Sequence, residues 1–454
     1  MHLEKTLGQQ MELKTPTYSE TANGIMRIAV PAIVSNISVP LLSLVDTAIT
    51  GHLGSQVYLG AIAVGGMIFN VLYWLMGFLR MGTSGLTAQD FGRGDSRGMA
   101  LQFSRALFLA LGIGLLFVLA SPWLCRAAFA LINCPAGVGE PAVAYFRICI
   151  LGAPAVLGIY AFSGWFLGMQ NSVAPMSVAI AQNVANLAAS LLFVYVLDMK
   201  VEGVAAGTVV GEYVGFALCC LVFRARYSAA LPRVGMAEIM NRSALAKFFN
   251  VNRDIFLRTL LYVAVMSWFT VSGARMNATI LAANALLMQL FVIFSYISDG
   301  LAFSAEALSG KYVGARNPGA FARMIKVSAA MCAVAALLFS CVYAAGGAEF
   351  LSLLTDNGAT VAAAVEYLPF AAAIPVVSAA AFLLDGVFVG AVASRFMLLS
   401  AIVSAAVFFG LLFTLREDWG NYALWTAFIS FLAMRSLAMA VLFRPMRRRA
   451  FRTA

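Results

Sequence analysis

Long apolar runs separated by short polar breaks make up this chain from residue 25 to residue 443. Each run is close to the ~20 residues that a helix needs to cross a bilayer. Twelve such spans are read, at roughly 25–50, 57–81, 99–124, 141–168, 173–197, 203–224, 251–274, 279–308, 321–345, 360–391, 395–415 and 420–443. The pattern predicts an all-α, polytopic membrane protein. Composition strengthens this, because the 454 residues are 62% hydrophobic and 11% charged, whereas soluble domains run to about 25% charged. Mean hydropathy is +0.89.

The net charge of +10 would suggest a nucleic-acid partner in a soluble protein, but its distribution points elsewhere. Basic residues collect in the N-terminal tail, in alternate loops and in the tail "FRPMRRRAFR". Arg93, Arg97, Arg105, Arg224, Arg253, Arg258, Lys311, Arg323 and Lys326 are all assigned to that side. The opposite side has only Arg126, Arg147, Lys200, Arg275 and Arg416. Such asymmetry marks the cytoplasmic face. It predicts both termini inside, a multi-pass location in a bacterial inner membrane, lipid as the surrounding medium and no nucleic-acid partner. Seven cysteines fall mostly within apolar spans without a CxxC pair, so they are read as small hydrophobes rather than disulfides or metal ligands.

Residues 224 to 254 form the longest polar interruption and divide the spans six and six. The expected organisation is a tail over 1–24, a first lobe over 25–224, a linker over 225–250, a second lobe over 251–444 and a basic tail over 445–454. The halves repeat weakly. "LTAQDFGRGDSRG" at 86–98 resembles "LSGKYVGARNPGA" at 308–320, and "SGWFLGM" at 163–169 resembles "DGVFVGA" at 385–391, both at an offset of 222 residues. Six spans per half makes these parallel repeats about an axis along the membrane normal, a common transporter plan.

Ionisable residues inside a membrane are costly and are functional candidates by default. Asp46, Glu212, Asp299, Glu306, Asp385 and Arg435 fall within the spans, and Arg435 is read as the only deep arginine. Asp46 leads, since a desolvated carboxylate can take up and release a proton near neutral pH. Asn183, Asn186, Ser190 and Thr208 are its candidate supports, and Pro40 is a candidate hinge because it removes a backbone hydrogen bond. A static kink and an acid merely bonded to neighbouring helices are the bland alternatives. Asp385, Glu306 and Asp299 form a candidate polar site in the second half. Asn36, Ser43, Asn70 and Met67 are candidate substrate-cavity residues. Glu212 and Arg435 are read as pairing with polar partners in structural roles. With only two histidines and no phosphate-binding Gly-rich loop with Lys, no catalytic cluster, metal site, cofactor or ATP motor is expected.

The stretches "PAIVSNISVPLLSLVDTAITGHLGSQVYLGAIAVGG" and "FLRMGTSGLTAQDFGRGD" resemble the first two spans of the multidrug and toxic compound extrusion (MATE) family. The likeness is closest to the branch typified by the bacterial DNA-damage-inducible protein F. "FSGWFLGMQNSVAPM", "GEYVG", "DGLAFSAEALSGKYVGARN" and "LLDGVFVGA" extend it along the chain. The resemblance implies two six-helix lobes, a V-shaped cavity, and ion-driven export of organic, often cationic compounds by alternating access. It implies Asp46 as protonation site and matches Asp385 and Glu306 to acids of the second lobe. Relatives with a sodium site carry a second carboxylate where this chain has Ser190, so protons are expected as the coupling ion in preference to sodium. The expectation is a monomeric, non-enzymatic proton antiporter for small organic substrates, with a lipid-linked precursor flippase or a membrane-embedded enzyme as rivals.

Overall fold

The computed structural model describes residues 15–51, 56–132, 134 and 137–453. Within these, the side chains at 39, 41–48, 50, 51, 131, 244, 247, 416–418 and 453 lie outside the described set. Helices account for nearly all of it, with no strand among the described residues. In chain order they are α1 Tyr18–Gly51, α2 Gln56–Leu75, α3 Phe78–Arg93, α4 Ser96–Leu119, α5 Ser121–Leu131 and α6 Gly139–Cys149. A 3-10 turn, Ile150–Gly152, leads into α7 Ala153–Gly168. Next come α8 Val173–Leu191, the π-helical turn Leu192–Val196, α9 Val201–Arg226, α10 Met236–Ile239 and α11 Arg242–Met276. The chain closes with α12 Ala278–Gly314, α13 Pro318–Leu354, α14 Gly358–Gly390, α15 Ser394–Trp419 and α16 Asn421–Thr453.

Eleven segments of the described residues are long and apolar enough to span a membrane, with α2–α3 and α6–α7 each counting as one. Helix α1, uncharged from 28 to 45, makes the twelfth. The tally agrees with the sequence reading, but the spans reach further into the polar breaks than hydropathy placed them. Arg93 and Lys311 lie inside helices, and α11 starts at Arg242, inside the expected linker. That linker is not loose. Arg97 bonds the Glu238 carboxylate at 2.7 Å, and Arg105 donates to the Glu238 and Ile239 carbonyls, fixing the short α10 to the start of α4.

The residues form two compact units, one over 34–249 and one combining 15–33 with 250–453. The first sixteen residues of α1 therefore group with the second unit, and the other boundary falls at 249/250, at the end of the expected linker. Close packing explains this: Gly300 leaves no space for a Cβ against Ile33 and the Ala29 carbonyl, and Arg323 donates to the Pro16 carbonyl.

Each unit repeats the other's local geometry at the offset of 222. Left-handed backbone occurs at Gly94 and Arg316, at Gln170 and Val392, and at Asp198 and Gly420. The next position in the first pair is a helix cap both times, Asp95 accepting from the Gly98 N–H at 2.8 Å and Asn317 from the Ala320 N–H at 2.9 Å. A side-chain acceptor at that position satisfies one of the unbonded N–H groups of the first turn. The helix seams match too. A Cβ on Gly164 would run into the Arg80 carbonyl of α3, and one on Gly386 into the Ala302 carbonyl of α12. Such glycines allow membrane helices to approach backbone to backbone.

Candidate functional site

In the first unit, α9 carries Gly203, Gly207, Gly211 and Gly215 at intervals of four, so all lie along one face of the helix. This seam brings α8 within van der Waals contact. A Cβ on Gly207 would strike the Ser190 side chain, and one on Gly211 would lie 2.8 Å from the Asn186 Cβ. The close approach assembles three of the residues singled out from sequence. Ser190 Oγ donates to Asn186 Oδ1 at 3.1 Å, Asn186 Nδ2 to Thr208 Oγ1 at 3.3 Å, and Thr208 Oγ1 to the Val204 carbonyl at 3.1 Å. Asn186 is 1% exposed and Ser190 fully buried. The result is a closed, uncharged hydrogen-bond chain.

Asn183 sits elsewhere. Its amide donates to the Ser38 carbonyl of α1 at 2.9 Å, eight residues before Asp46 and in the same turn as the half-buried Pro40. Proline interrupts the helix's own bonding at this turn, and the amide ties that turn to α8. The backbone places Asp46 and Ser43 on α1, but both side chains lie outside the described residues. Asn36 is half-buried on α1, while Met67 and Asn70 are exposed on α2.

The second unit contains a denser charge cluster. Asp385 Oδ2 on α14 accepts from Arg258 Nη2 on α11 at 2.8 Å and also from Arg435 Nη2 on α16. All three residues are at most 7% exposed. Tyr262, one turn beyond Arg258, accepts from Arg258 Nε at 3.3 Å. Both guanidinium groups lie over its ring, at 4.8 and 4.6 Å from the centroid. Arg435 also lies 5.6 Å from the Phe382 ring. Asp299, half-buried on α12, interacts electrostatically with Arg435. Glu306, 1% exposed, sits further along α12 where Gly390 of α14 crosses its carbonyl.

This arrangement corrects one reading. Arg435 is not the only deep arginine, because Arg258 is buried beside it, and the polar partner of Arg435 is Asp385. Counting Arg258 with the surface charge overlooked its apolar surroundings, "IFLRTLLYVAV", and a tyrosine four residues on, which together signal a buried cation. Arg80 was missed altogether; its backbone carries the Gly164 crossing.

Among known proteins, the MatE family model matches residues 31–192 and 238–414. The chain is 38% identical over 421 residues to DNA damage-inducible protein F of Escherichia coli strain K12, covering 92% of this chain and 91% of that protein. It is 27% identical over 373 residues to the probable multidrug resistance protein NorM of Deinococcus radiodurans, covering 79% and 81% respectively. A solved outward-facing structure of a multidrug resistance MATE family transporter of the MOP superfamily superimposes with a TM-score of 0.84. It is 17% identical and covers 95% of this chain and 96% of that one.

Proposed function

Because the chain belongs to the MatE family, we propose that it is a secondary antiporter that exports amphipathic or cationic organic compounds in exchange for protons. Asp46 is the protonation site on α1 in this reading, and alternating access carries substrate across. The observation that carries the reading is the uncharged chain Ser190–Asn186–Thr208. Its donors and acceptors already satisfy one another, and it offers no second carboxylate to a metal cation. Without a second carboxylate on α8, this reading suits a proton better than sodium, because protonation of Asp46 removes its charge altogether. The Asn183 bond at Ser38 supports a hinge at Pro40, since it gives that turn a fixed anchor on α8.

Proteoliposomes holding a fluorescent lipophilic cation provide the test. A pH gradient is expected to drive transport in the wild type and not in Asp46→Asn, and a sodium gradient alone is expected to drive none. Undiminished pH-driven transport by Asp46→Asn, or transport on sodium alone, overturns the proposal.

One observation favours a second reading, in which the carried compound is an anionic amphiphile such as a lipid-linked precursor. Arg258 and Arg435 put two cations on the single carboxylate of Asp385. Competition between an anionic amphiphile and the lipophilic cation would favour this second reading.

A further inference from the structure

Glu212 lies on α9 one turn beyond Thr208, is 6% exposed, and has an Oε2 with no hydrogen-bond partner among the described residues. Several elements of the first unit enclose it. The 3-10 turn Ile150–Gly152 passes so close that a Cβ on Gly152 would collide with the carboxylate. Tyr73 of α2 interacts electrostatically with Glu212, with Tyr145 and Cys149 of α6, and with Tyr160 of α7. Tyr160 in turn interacts with Glu212 and with Arg80 of α3. On α9 itself, the Tyr213 hydroxyl is committed to the Leu151 carbonyl at 2.9 Å. The α8 residues nearest the α9 seam, Gln182 and Asn186, are neutral. No cation pairs with Glu212 among the described residues.

An ionised carboxylate in apolar surroundings needs a cation or several donors. Glu212 has neither here, so this arrangement accommodates the neutral acid. A donor for the ionised form is nearby, since the Tyr73 hydroxyl is also buried without a hydrogen-bond partner. The backbone facing the carboxylate is not regular α-helix: Pro154 has no N–H, and the preceding turn is 3-10. The pocket thus has the parts for two arrangements, a protonated Glu212 apart from Tyr73 and an ionised Glu212 bonded to it.

We infer that Glu212 is a second proton-binding residue of the first unit, taking a proton from water on one side of the membrane and returning it on the other during transport. The inference rests on the proton-antiport reading above. The step is proton transfer only: one carboxyl O–H bond forms and later breaks, and Tyr73 exchanges its hydrogen-bond partner without losing its proton. Tyr73 is a positioning residue.

Infrared difference spectroscopy of the full chain in lipid nanodiscs, taken between about pH 5 and about pH 9, reads this without substrate. The wild type is expected to lose a protonated-carboxyl band as the pH rises, Glu212→Gln to lack that band, and Asp46→Asn to keep it. In Tyr73→Phe the band should persist to pH values at which the wild type has lost it, a shift of about tenfold in proton concentration. Tyr73→Phe also serves if Glu212→Gln does not fold. Identical spectra from wild type and Glu212→Gln, or a band in Tyr73→Phe that titrates as in the wild type, overturn the inference. Failure of pH-driven transport by the wild type would instead overturn the antiport reading, whatever the spectra show.

Discussion

Arg258 Nη2 meets Asp385 Oδ2 at 2.8 Å across 127 residues of chain. Neither residue has an aqueous alternative, and Arg435 bonds the same oxygen. Removing the acid therefore leaves two buried cations facing each other over Tyr262. Breaking one partner of a buried pair costs about 3–5 kcal/mol, much of it from the charge left behind. Asp385→Ala is expected to lower the melting temperature of the detergent-purified protein sharply. Adding Arg258→Met to it should recover part of the loss. A single mutant as stable as the wild type would show that the cluster contributes little to the fold.

Glycine substitutions should divide by what surrounds them. Alanine at Gly164 or Gly386 drives a methyl group into a neighbouring backbone carbonyl, and overpacking of this kind costs about 1–3 kcal/mol. Gly112 and Gly410 lie within helices and have nothing within 4 Å of a built Cβ. There, alanine should stabilise by about 0.5–1 kcal/mol through helix propensity. Thermal unfolding of the four variants checks the contrast, and a uniform response would refute the seam argument.

The clamp on α10 carries a pH signature. Hydrogen bonds from Arg97 and from the Gly235 N–H, with the charges of Arg97 and Arg105, hold the Glu238 carboxyl below its ordinary value. The folded value is depressed, so the stabilisation is complete above the ordinary glutamate range near ~4.3. It is lost as pH falls through the folded value. Hydrogen exchange across 235–241 should accelerate over that acid window in the wild type. In Glu238→Gln the exchange should be fast already at neutral pH. Equal protection in both proteins at neutral pH would remove the clamp.

Much of this architecture was legible in the residue pattern. The 222-residue offset, read from short likenesses such as Gly92 with Gly314, reappears in left-handed backbone at Gln170 and Val392, two residue types with no sequence resemblance. A backbone register survives substitution when neighbouring helices dictate the turn, so a few matched glycines were enough to reveal it. Asn186, Ser190 and Thr208 stood out as candidate supports for Asp46; that they also bond one another follows from the close α8–α9 seam, which spacing along one helix does not show. The Asn183 bond to the Ser38 carbonyl was not legible, as nothing in its spacing says which backbone group of α1 an amide will reach. Arg258 was misplaced for a related reason. Counting charges by loop treats a cation near a span end as solvated, whereas its partner Asp385 lies more than a hundred residues away and becomes a neighbour only through folding.

Placement of the first sixteen residues of α1 with the second unit bears on the order of synthesis. Ile33 leaves the ribosome early, but Gly300, against which it packs, follows more than 260 residues later. At about 5–20 residues per second, the start of α1 waits roughly 13–53 seconds for its neighbour. During that interval the rest of the first unit can close its own glycine seams. The start of α1 is thus synthesised long before the neighbour it finally packs against.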